Sequence, residues 1–438
     1  MGKVVKLEPG AKAQSAAKVR KRSVAPRGVG RPASMERRQR PRRDKTALVL
    51  GGGGFTGGVY EIGALRALDL LAVNSNVNNF DVYVGTSAGA FMAALCANGV
   101  TPEEMMQVVT RQGKAAFKDI DLGDLLRPNV IEFAHKAASM PLRMAALARQ
   151  IIAEPGGVSL MDLALGLADN LPSGLYTGAG IESYLREVLG EPGRTDDFAE
   201  LPCELYITAT DLDTCERVVF GVDGSEDVPI STAVRASGAL PMVYAPVQVN
   251  DRELIDGGMV STTNLDIAVE AGARLIVVIN PIVPYINDFS SQVKTLRGTR
   301  KRRVSDMGFA QIGYQAFKLV AHQRLHELAK TWEDRYPGVD IVLIEPEPND
   351  ELMFQTSMMS FTSRVEIARH GFESVTKQLA GEYSRYQEVA ERHGISISGK
   401  RVRQVVEHFD EEAEGVSAWR KILEGTTGAL LRQAGSAS

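Results

Sequence analysis

Short apolar runs recur along the chain, separated by longer stretches with helical spacing. Thr46–Leu50, Phe80–Val84, Cys203–Asp211, Glu216–Val222, Leu275–Asn280 and Asp340–Ile344 are compact and rich in β-branched, aliphatic or aromatic residues, and read as strands. Pro246–Asn250 and Glu253–Ile255 read as a hairpin. Helical patterns lie between them. Ile62, Leu65, Leu68 and Leu71 recur near helical spacing in Val59–Leu71, and Ala90–Ala97 is Ala-rich enough for a buried helix. Thr101-Pro102-Glu103-Glu104 is a helix start, with Thr101 as N-cap and Pro at the first helical position. Ile181, Tyr184, Leu185 and Val188 form another stripe, and Phe317–Lys330 and Phe361–Leu379 complete the set. This alternation predicts an α/β sandwich with a mainly parallel central sheet, whose ligands sit at the carboxyl ends of the strands.

Two stretches carry weaker patterns. Ala137–Ala153 is rich in Ala, Met and Leu and is broken by Pro141. It reads as a core helix in preference to a lid or lipid-facing helix, because such stripes usually face a core. Ser290–Val304 is polar, with Arg297, Arg300, Lys301, Arg302 and Arg303, and reads as a solvated loop.

Chemistry concentrates in three places. Gly85-Thr86-Ser87-Ala88-Gly89 joins a strand to a helix, a context in which Gly-x-Ser-x-Gly holds a serine on a sharp, strained turn with its hydroxyl at the sheet end. Gly51-Gly52-Gly53-Gly54-Phe55-Thr56-Gly57-Gly58 also separates a strand from a helix, so its backbone N–H groups can cradle an anion. Gly52, Gly54 and Gly57 satisfy Gly-x-Gly-x-x-Gly, but a dinucleotide site wants an acid after the next strand, where the serine turn stands instead. An oxyanion hole beside a nucleophile is the better reading. Leu254-Ile255-Asp256-Gly257-Gly258 taken alone is a turn signal. A serine nucleophile needs a base, however, and none of His135, His322, His326, His370, His393 and His408 follows a clear strand end. A Ser–Asp pair without histidine is then the natural alternative.

These blocks resemble the patatin-like phospholipases. The glycine cluster, Gly-x-Ser-x-Gly and the late Asp-Gly-Gly occur in that order, and Ala233-Val234-Arg235-Ala236-Ser237 running into Leu240-Pro241 is similar to a further family segment. The resemblance covers Lys45–Ile282 well and Phe309–Leu379 more loosely. It implies a patatin-like three-layer α/β/α sandwich and a serine hydrolase of acyl lipids. Residue by residue, it implies Ser87 as nucleophile, Asp256 as base, Gly52, Gly53 and Gly54 as oxyanion donors, and Gly85 and Gly89 as the glycines of the elbow. One departure stands out: the family usually carries Arg or Lys where this chain has Thr56. That leaves open phospholipids or lysophospholipids, a broad carboxylesterase or acyl-CoA thioesterase activity, and a catalytically silent lipid-binding protein. In the hydrolase mechanism Ser87 attacks the ester carbonyl, Asp256 takes its proton, and water releases the acyl-enzyme. An aspartate of ordinary pKa, ~3.9, is a poor base for an alcohol, so Asp256 must be desolvated, as an arriving apolar substrate would do. No metal or cofactor is expected.

Charge is unevenly placed. Residues 1–45 hold 15 Lys or Arg against 3 acids, so the formal net charge of −4 splits into an arm near +12 and a body near −16. The arm is poor in large apolar residues and is expected to be disordered. It could touch anionic membrane or, less readily, nucleic acid. The expected organisation is this arm, a hydrolase domain over 46–380 with a helical insertion and possible lid at 101–190, and a helical extension at 381–438. Three scattered cysteines, no apolar run near ~20 residues and no apolar leader suggest a cytoplasmic protein, peripheral at most to a membrane.

Overall fold

The computed structural model describes residues 4–5, 44–111, 123, 126–153, 171–222, 227–287, 292–295, 298–301, 303–356, 359–407 and 409. In chain order, β1 (Val4–Val5), β2 (Thr46–Leu50), α1 (Gly54–Leu71), β3 (Val82–Thr86) and α2 (Ala88–Ala97) come first. Then come α3 (Pro102–Thr110), α4 (Val130–Ala153), β4 (Gly174–Tyr176), α5 (Ala179–Leu189), β5 (Glu204–Asp211) and β6 (Arg217–Phe220). They are followed by α6 (Ile230–Ser237), β7 (Met242–Tyr244), β8 (Val247–Val249), β9 (Arg252–Asp256), α7 (Leu265–Glu270) and β10 (Leu275–Ile279). Last are β11 (Gln292–Thr295), β12 (Gly298–Lys301), α8 (Phe309–Ala329), α9 (Trp332–Arg335), β13 (Asp340–Ile344), α10 (Glu351–Gln355), α11 (Arg364–Gly381) and α12 (Tyr383–Arg392).

The central sheet runs β1-β6-β5-β3-β2-β10-β13, and its middle, from β5 to β13, is parallel throughout. Parallel strands are covered on both faces, which is why they read as unbroken apolar runs. In β2 the alternation is explicit. Ala47 and Val49 join one core with Val82, Val84, Ile276 and Val278, while Leu48 and Leu50 join the other with Tyr83 and Ile279. Helices α1, α2, α3 and α11 supply the second core, and α7, with Trp332 and Tyr336 of the α9 region, supplies the first. The result is the α/β/α layering expected. Tyr386 of α12 and Val402 are also buried in the larger core, so the described part of the C-terminal extension packs on the body.

Thr101 caps α3 as its sequence predicts: Thr101 Oγ1 accepts from Glu104 N at 3.2 Å, and Glu104 Oε2 accepts from Thr101 N at 2.7 Å. The structure corrects two expectations. Helix α4 runs through Pro141 without a break, and its residues Ile131, Phe133, Ala137, Ala138 and Met140 are exposed, with Ile131 at 85%. A Met- and Ala-rich stripe serves a surface as readily as a core. Within Ser290–Val304, β11 and β12 pair as an antiparallel ribbon, where a loop was expected. In the arm, Val4–Val5 lie parallel to Arg217–Val218 of β6, and residues 6–43 lie outside the described residues.

Candidate active site

Strand β5 brings the two ends of the site together. On one edge its residues 207–210 pair with β6. Its other edge is taken first by β3, whose last pair is Thr86↔Thr208, and then by β9, whose last pair is Ala209↔Asp256. Where β3 turns away into α2, β9 arrives from the opposite direction. Ser87 and Asp256, 169 positions apart, therefore meet at adjacent register positions of one strand.

The turn at Ser87 is strained. Its φ of 56° and ψ of −124° place a non-glycine residue in a conformation that costs on the order of 1–3 kcal/mol and persists only where the surroundings enforce it. Enforcement is visible. Ser87 N–H donates to Ser237 Oγ at 2.8 Å, and Gly89 N–H donates to the Gly51 carbonyl at 3.0 Å. The helix after the turn can approach β2 so closely only because residue 89 is glycine: a Cβ there would lie 2.3 Å from the Leu50 carbonyl oxygen. At Gly85 a Cβ would lie 2.4 Å from Ala90 Cα. The two elbow glycines are thus steric requirements of the turn.

Ser87 Oγ donates to Asp256 Oδ2 at 2.5 Å, and Asp256 Oδ1 accepts from Gly258 N–H at 2.7 Å. Asp256 is 2% exposed. Burial pushes its carboxyl up to about 6, against smaller opposing effects of the Ser87 and Gly258 hydrogen bonds. The desolvation expected from substrate is thus already supplied by the protein. Tyr314 of α8 is half-buried, and desolvation of its hydroxyl together with the Asp256 charge holds its phenol above the usual range.

Behind the pair lies a polar hub. Asn264, at φ 48°, donates through Nδ2 to Thr86 Oγ1 at 3.0 Å, Thr208 Oγ1 at 3.1 Å and the Ser261 carbonyl at 2.7 Å. Its Oδ1 accepts from Arg217, which also forms a two-pronged pair with Asp266. The hub ties β3, β5 and β6 at the level of the elbow. Glu61 of α1 is fully buried, and neither carboxyl oxygen has a hydrogen-bond partner among the described residues. Burial holds it well above the usual carboxylate range; the nearby Gly51 backbone, whose N–H already donates to the Ile279 carbonyl, offsets little of this.

The glycine cluster lies against the serine, since a Cβ on Gly52 would sit 3.9 Å from Ser87 Oγ. Gly52 N–H, however, donates to the Thr262 carbonyl at 3.2 Å, so it is not a free donor for an oxyanion. Gly53 and Gly54 stand at the N-cap and first position of α1, with φ of 152° and 63°, and their N–H groups have no hydrogen-bond partner among the described residues. The expected trio of donors narrows to these two.

Ser87 and Asp256 line a cleft whose walls are overwhelmingly apolar, built by Phe55, Phe91, Met92, Leu240, Tyr244 and Phe317 among others. Arg364 also lines it, lying 4.2 Å over the Phe361 ring and donating to the carbonyls of Val109 and Phe361. Thr56 is buried in α1. Among the described residues three histidines pair elsewhere: His326 with Glu345, His370 with Asp350 and His393 with Asp340. Cys96, Cys203 and Cys215 are free thiols.

Sequence reasoning missed Asn264, Arg217, Tyr314 and Glu61. Ser237 was visible only as part of an Ala-x-x-Ala-Ser block, with no role attached. Only Glu61 carried a local signal, as an acid inside an otherwise apolar helix.

The family model for patatin-like phospholipase matches residues 48–269. A probable lipid hydrolase, 463L, of Invertebrate iridescent virus 6 is 23% identical over 231 residues, spanning 53% of this chain and 65% of that relative. Among solved structures, VipD from Legionella pneumophila is similar at 15% identity and a TM-score of 0.36, over 78% of this chain and 67% of its own. The type III effector ExoU is similar at 16% identity and a TM-score of 0.32, over 78% of this chain and 53% of its own. With the glycine cluster, the serine elbow and Asp256 all inside or within reach of the matched segment, the chain belongs to the patatin-like phospholipase family.

Proposed function

We propose that the protein is a serine acyl hydrolase that cleaves acyl esters of phospholipids or lysophospholipids through a Ser87–Asp256 dyad. The observation that carries this reading is the 2.5 Å hydrogen bond from Ser87 Oγ to a buried aspartate at the floor of an apolar cleft. In its ionised form Asp256 takes the proton as Ser87 Oγ attacks the ester carbonyl. The tetrahedral oxyanion is held by Gly53 and Gly54 N–H groups, each such donor being worth roughly 2.7–4 kcal/mol where measured. The dipole of α1 adds to the same field. Asp256 then returns the proton to the leaving alcohol, and water, activated by the same carboxylate, releases the acyl group from Ser87.

Two features favour a lipid substrate. The cleft accepts an aliphatic chain along its apolar walls and places Arg364, a cation, where a headgroup phosphate can be met although position 56 is threonine. Beside it, the β4–β7 pair and the start of α4 expose Leu175, Met242, Val130 and Ile131. That surface suits contact with a lipid interface, and the basic arm would add attraction to anionic lipid. No helix among the described residues is long and apolar enough to cross a membrane.

The test is lipidomic profiling of purified protein on mixed vesicles, together with labelling by a fluorophosphonate probe. Wild type should release fatty acid and take the label at Ser87, and Ser87→Ala should do neither while keeping its fold. Label and turnover persisting in Ser87→Ala would end the proposal. Labelling without lipid cleavage, but with hydrolysis of small esters, would favour the carboxylesterase reading.

A further inference from the structure

His322, His326 and Glu345 converge at a point that the serine chemistry does not use. The two histidines are four residues apart on α8, so their rings share one helix face, with centroids 4.0 Å apart. Glu345 follows β13 directly, and its Oε2 lies 2.8 Å from His326 Nε2. One donor atom from each of the three lies within 4.8 Å of the others. The second oxygen of Glu345, Oε1, accepts from Asn280 Nδ2 at 2.7 Å, which fixes the carboxylate from behind. The His326–Glu345 pair accounts for two of these groups. It does not account for His322, which faces the same point and has no hydrogen-bond partner among the described residues.

We propose that the chain binds one divalent transition-metal ion of the Zn²⁺ class through His322, His326 and Glu345, clamping α8 to the catalytic end of the sheet. Two imidazoles and a carboxylate are donors that suit Zn²⁺ and its neighbours and are too nitrogen-rich for Mg²⁺ or Ca²⁺. Histidines at i and i+4 on a helix face are the spacing that lets two imidazoles reach one ion. With metal–ligand bonds of ~2.0–2.2 Å, donors around a tetrahedral ion stand about 3.3 Å apart. The widest gap must therefore close by about 1.5 Å and the His326–Glu345 contact open by about 0.5 Å, both within rotamer adjustment of partly buried side chains. Three protein ligands leave a fourth position for water.

The clamp is placed to stiffen the cleft. Helix α8 contributes Tyr314 and Phe317 to the wall beside Asp256. Asn280, the partner of Glu345, follows β10, and the neighbouring Ile279 carbonyl accepts from Gly51 N–H in the glycine cluster.

The test uses the full chain, stripped with a chelator and then titrated with Zn²⁺ by calorimetry and with Co²⁺ by visible absorption. One-to-one binding, a Co²⁺ d–d spectrum and a higher Tm with Zn²⁺ are expected. His322→Ala, His326→Ala and Glu345→Gln should each weaken binding by more than about 10-fold, the smallest loss usual when even an outer partner of a metal ligand is removed. Glu345→Gln is isosteric and can keep the Asn280 contact, so it separates ligation from folding. His135→Ala, on the exposed face of α4, should bind as wild type does. Absence of one-to-one binding in wild type would overturn the proposal, as would equal affinity in His322→Ala and Glu345→Gln.

Discussion

Changing Asp256 to Asn separates what this residue does for catalysis from what it does to stability. The carboxyl rises from 3.8 to about 6 because it is buried. At 1.36 kcal/mol per pKa unit, that is about 3 kcal/mol against the ionised form. The folded state holds the proton more tightly than the unfolded chain does. Stability from this group is therefore full below pH ~4, falls as pH rises through about 6, and stays low above it. Asparagine has no charge to bury. Its Oδ1 can still accept from Gly258 N–H while its amide faces Ser87 Oγ. Asp256→Asn should match wild type at pH 4 and exceed it by up to about 3 kcal/mol at pH 7.5, or about 6 °C in Tm at the lower end of roughly 2–4 °C per kcal/mol. Activity should move the other way. Loss of a general base typically costs about 10²–10⁴ in rate, so kcat on a soluble chromogenic ester should drop by that factor. Wild-type kcat/KM should climb through about pH 6 and level off, since the ionised carboxylate is the active form. Thermal melts and initial rates of both proteins from pH 4 to 8 provide the check. Wild-type kcat in the variant, or a Tm advantage that does not grow with pH, would refute the reasoning.

Other expectations follow from the same geometry. Ser237→Ala leaves the Ser87 N–H unpaired in a buried site, which should cost about 1–3 kcal/mol in chemical denaturation; an unchanged midpoint would mean that the Ser237 contact does not support the turn. Glu61→Gln removes a buried carboxyl whose pKa burial has raised, so the variant should be the more stable protein above pH ~4.3, with the gain absent at lower pH; a variant less stable at pH 7 would show that the charge is stabilised there. Deleting residues 1–43 should weaken binding to anionic vesicles and flatten its salt dependence, with short-chain ester hydrolysis unchanged; equal vesicle binding by both forms would remove the arm from membrane contact.

The strand-turn-helix at Ser87 was legible because a β-branched run and an Ala-rich run flank two glycines. Local pattern suffices for a local motif. Asp256 was different. Its own residues say only that the chain turns, and the resemblance to a family attached it to Ser87. The physical link is the shared edge of β5, a property of register between segments that no periodicity reveals. Gly52 shows the same limit from the other side. It looks equivalent to Gly53 and Gly54 in sequence, yet the carbonyl of Thr262, from a distant loop, occupies its N–H. Surface and core also defeat pattern reading where residues suit both. The Ala, Met and Leu of Ala137–Ala153 pointed inward on paper, but the described start of α4, through Met140, is exposed. In Ser290–Val304, Lys294, Arg300 and Lys301 hid the ribbon, since charged strands lack an apolar face to read.

Three unfavourable features share the mouth of the sheet: the strained turn at Ser87, the buried Asp256 and the buried Glu61. The first two together cost about 4–6 kcal/mol, a sizeable part of the stability of an ordinary domain, and the third acts in the same direction. That cost must be offset close by, or the turn would relax. The Asn264 hub is the element positioned to do this. Its amide holds Thr86 immediately before Ser87 and Thr208 opposite it, and its carbonyl is held by Arg217, which Asp266 pairs in turn. The load path therefore runs through β3, β5 and β6 and into α7, and bypasses the apolar wall of the cleft. That separation explains how Thr56 can replace the usual basic residue and Arg364 can enter from a late helix without moving the pair at the centre. The wall can vary with the substrate, while the Ser87–Asp256 distance is set by the register of β3 and β9 on β5.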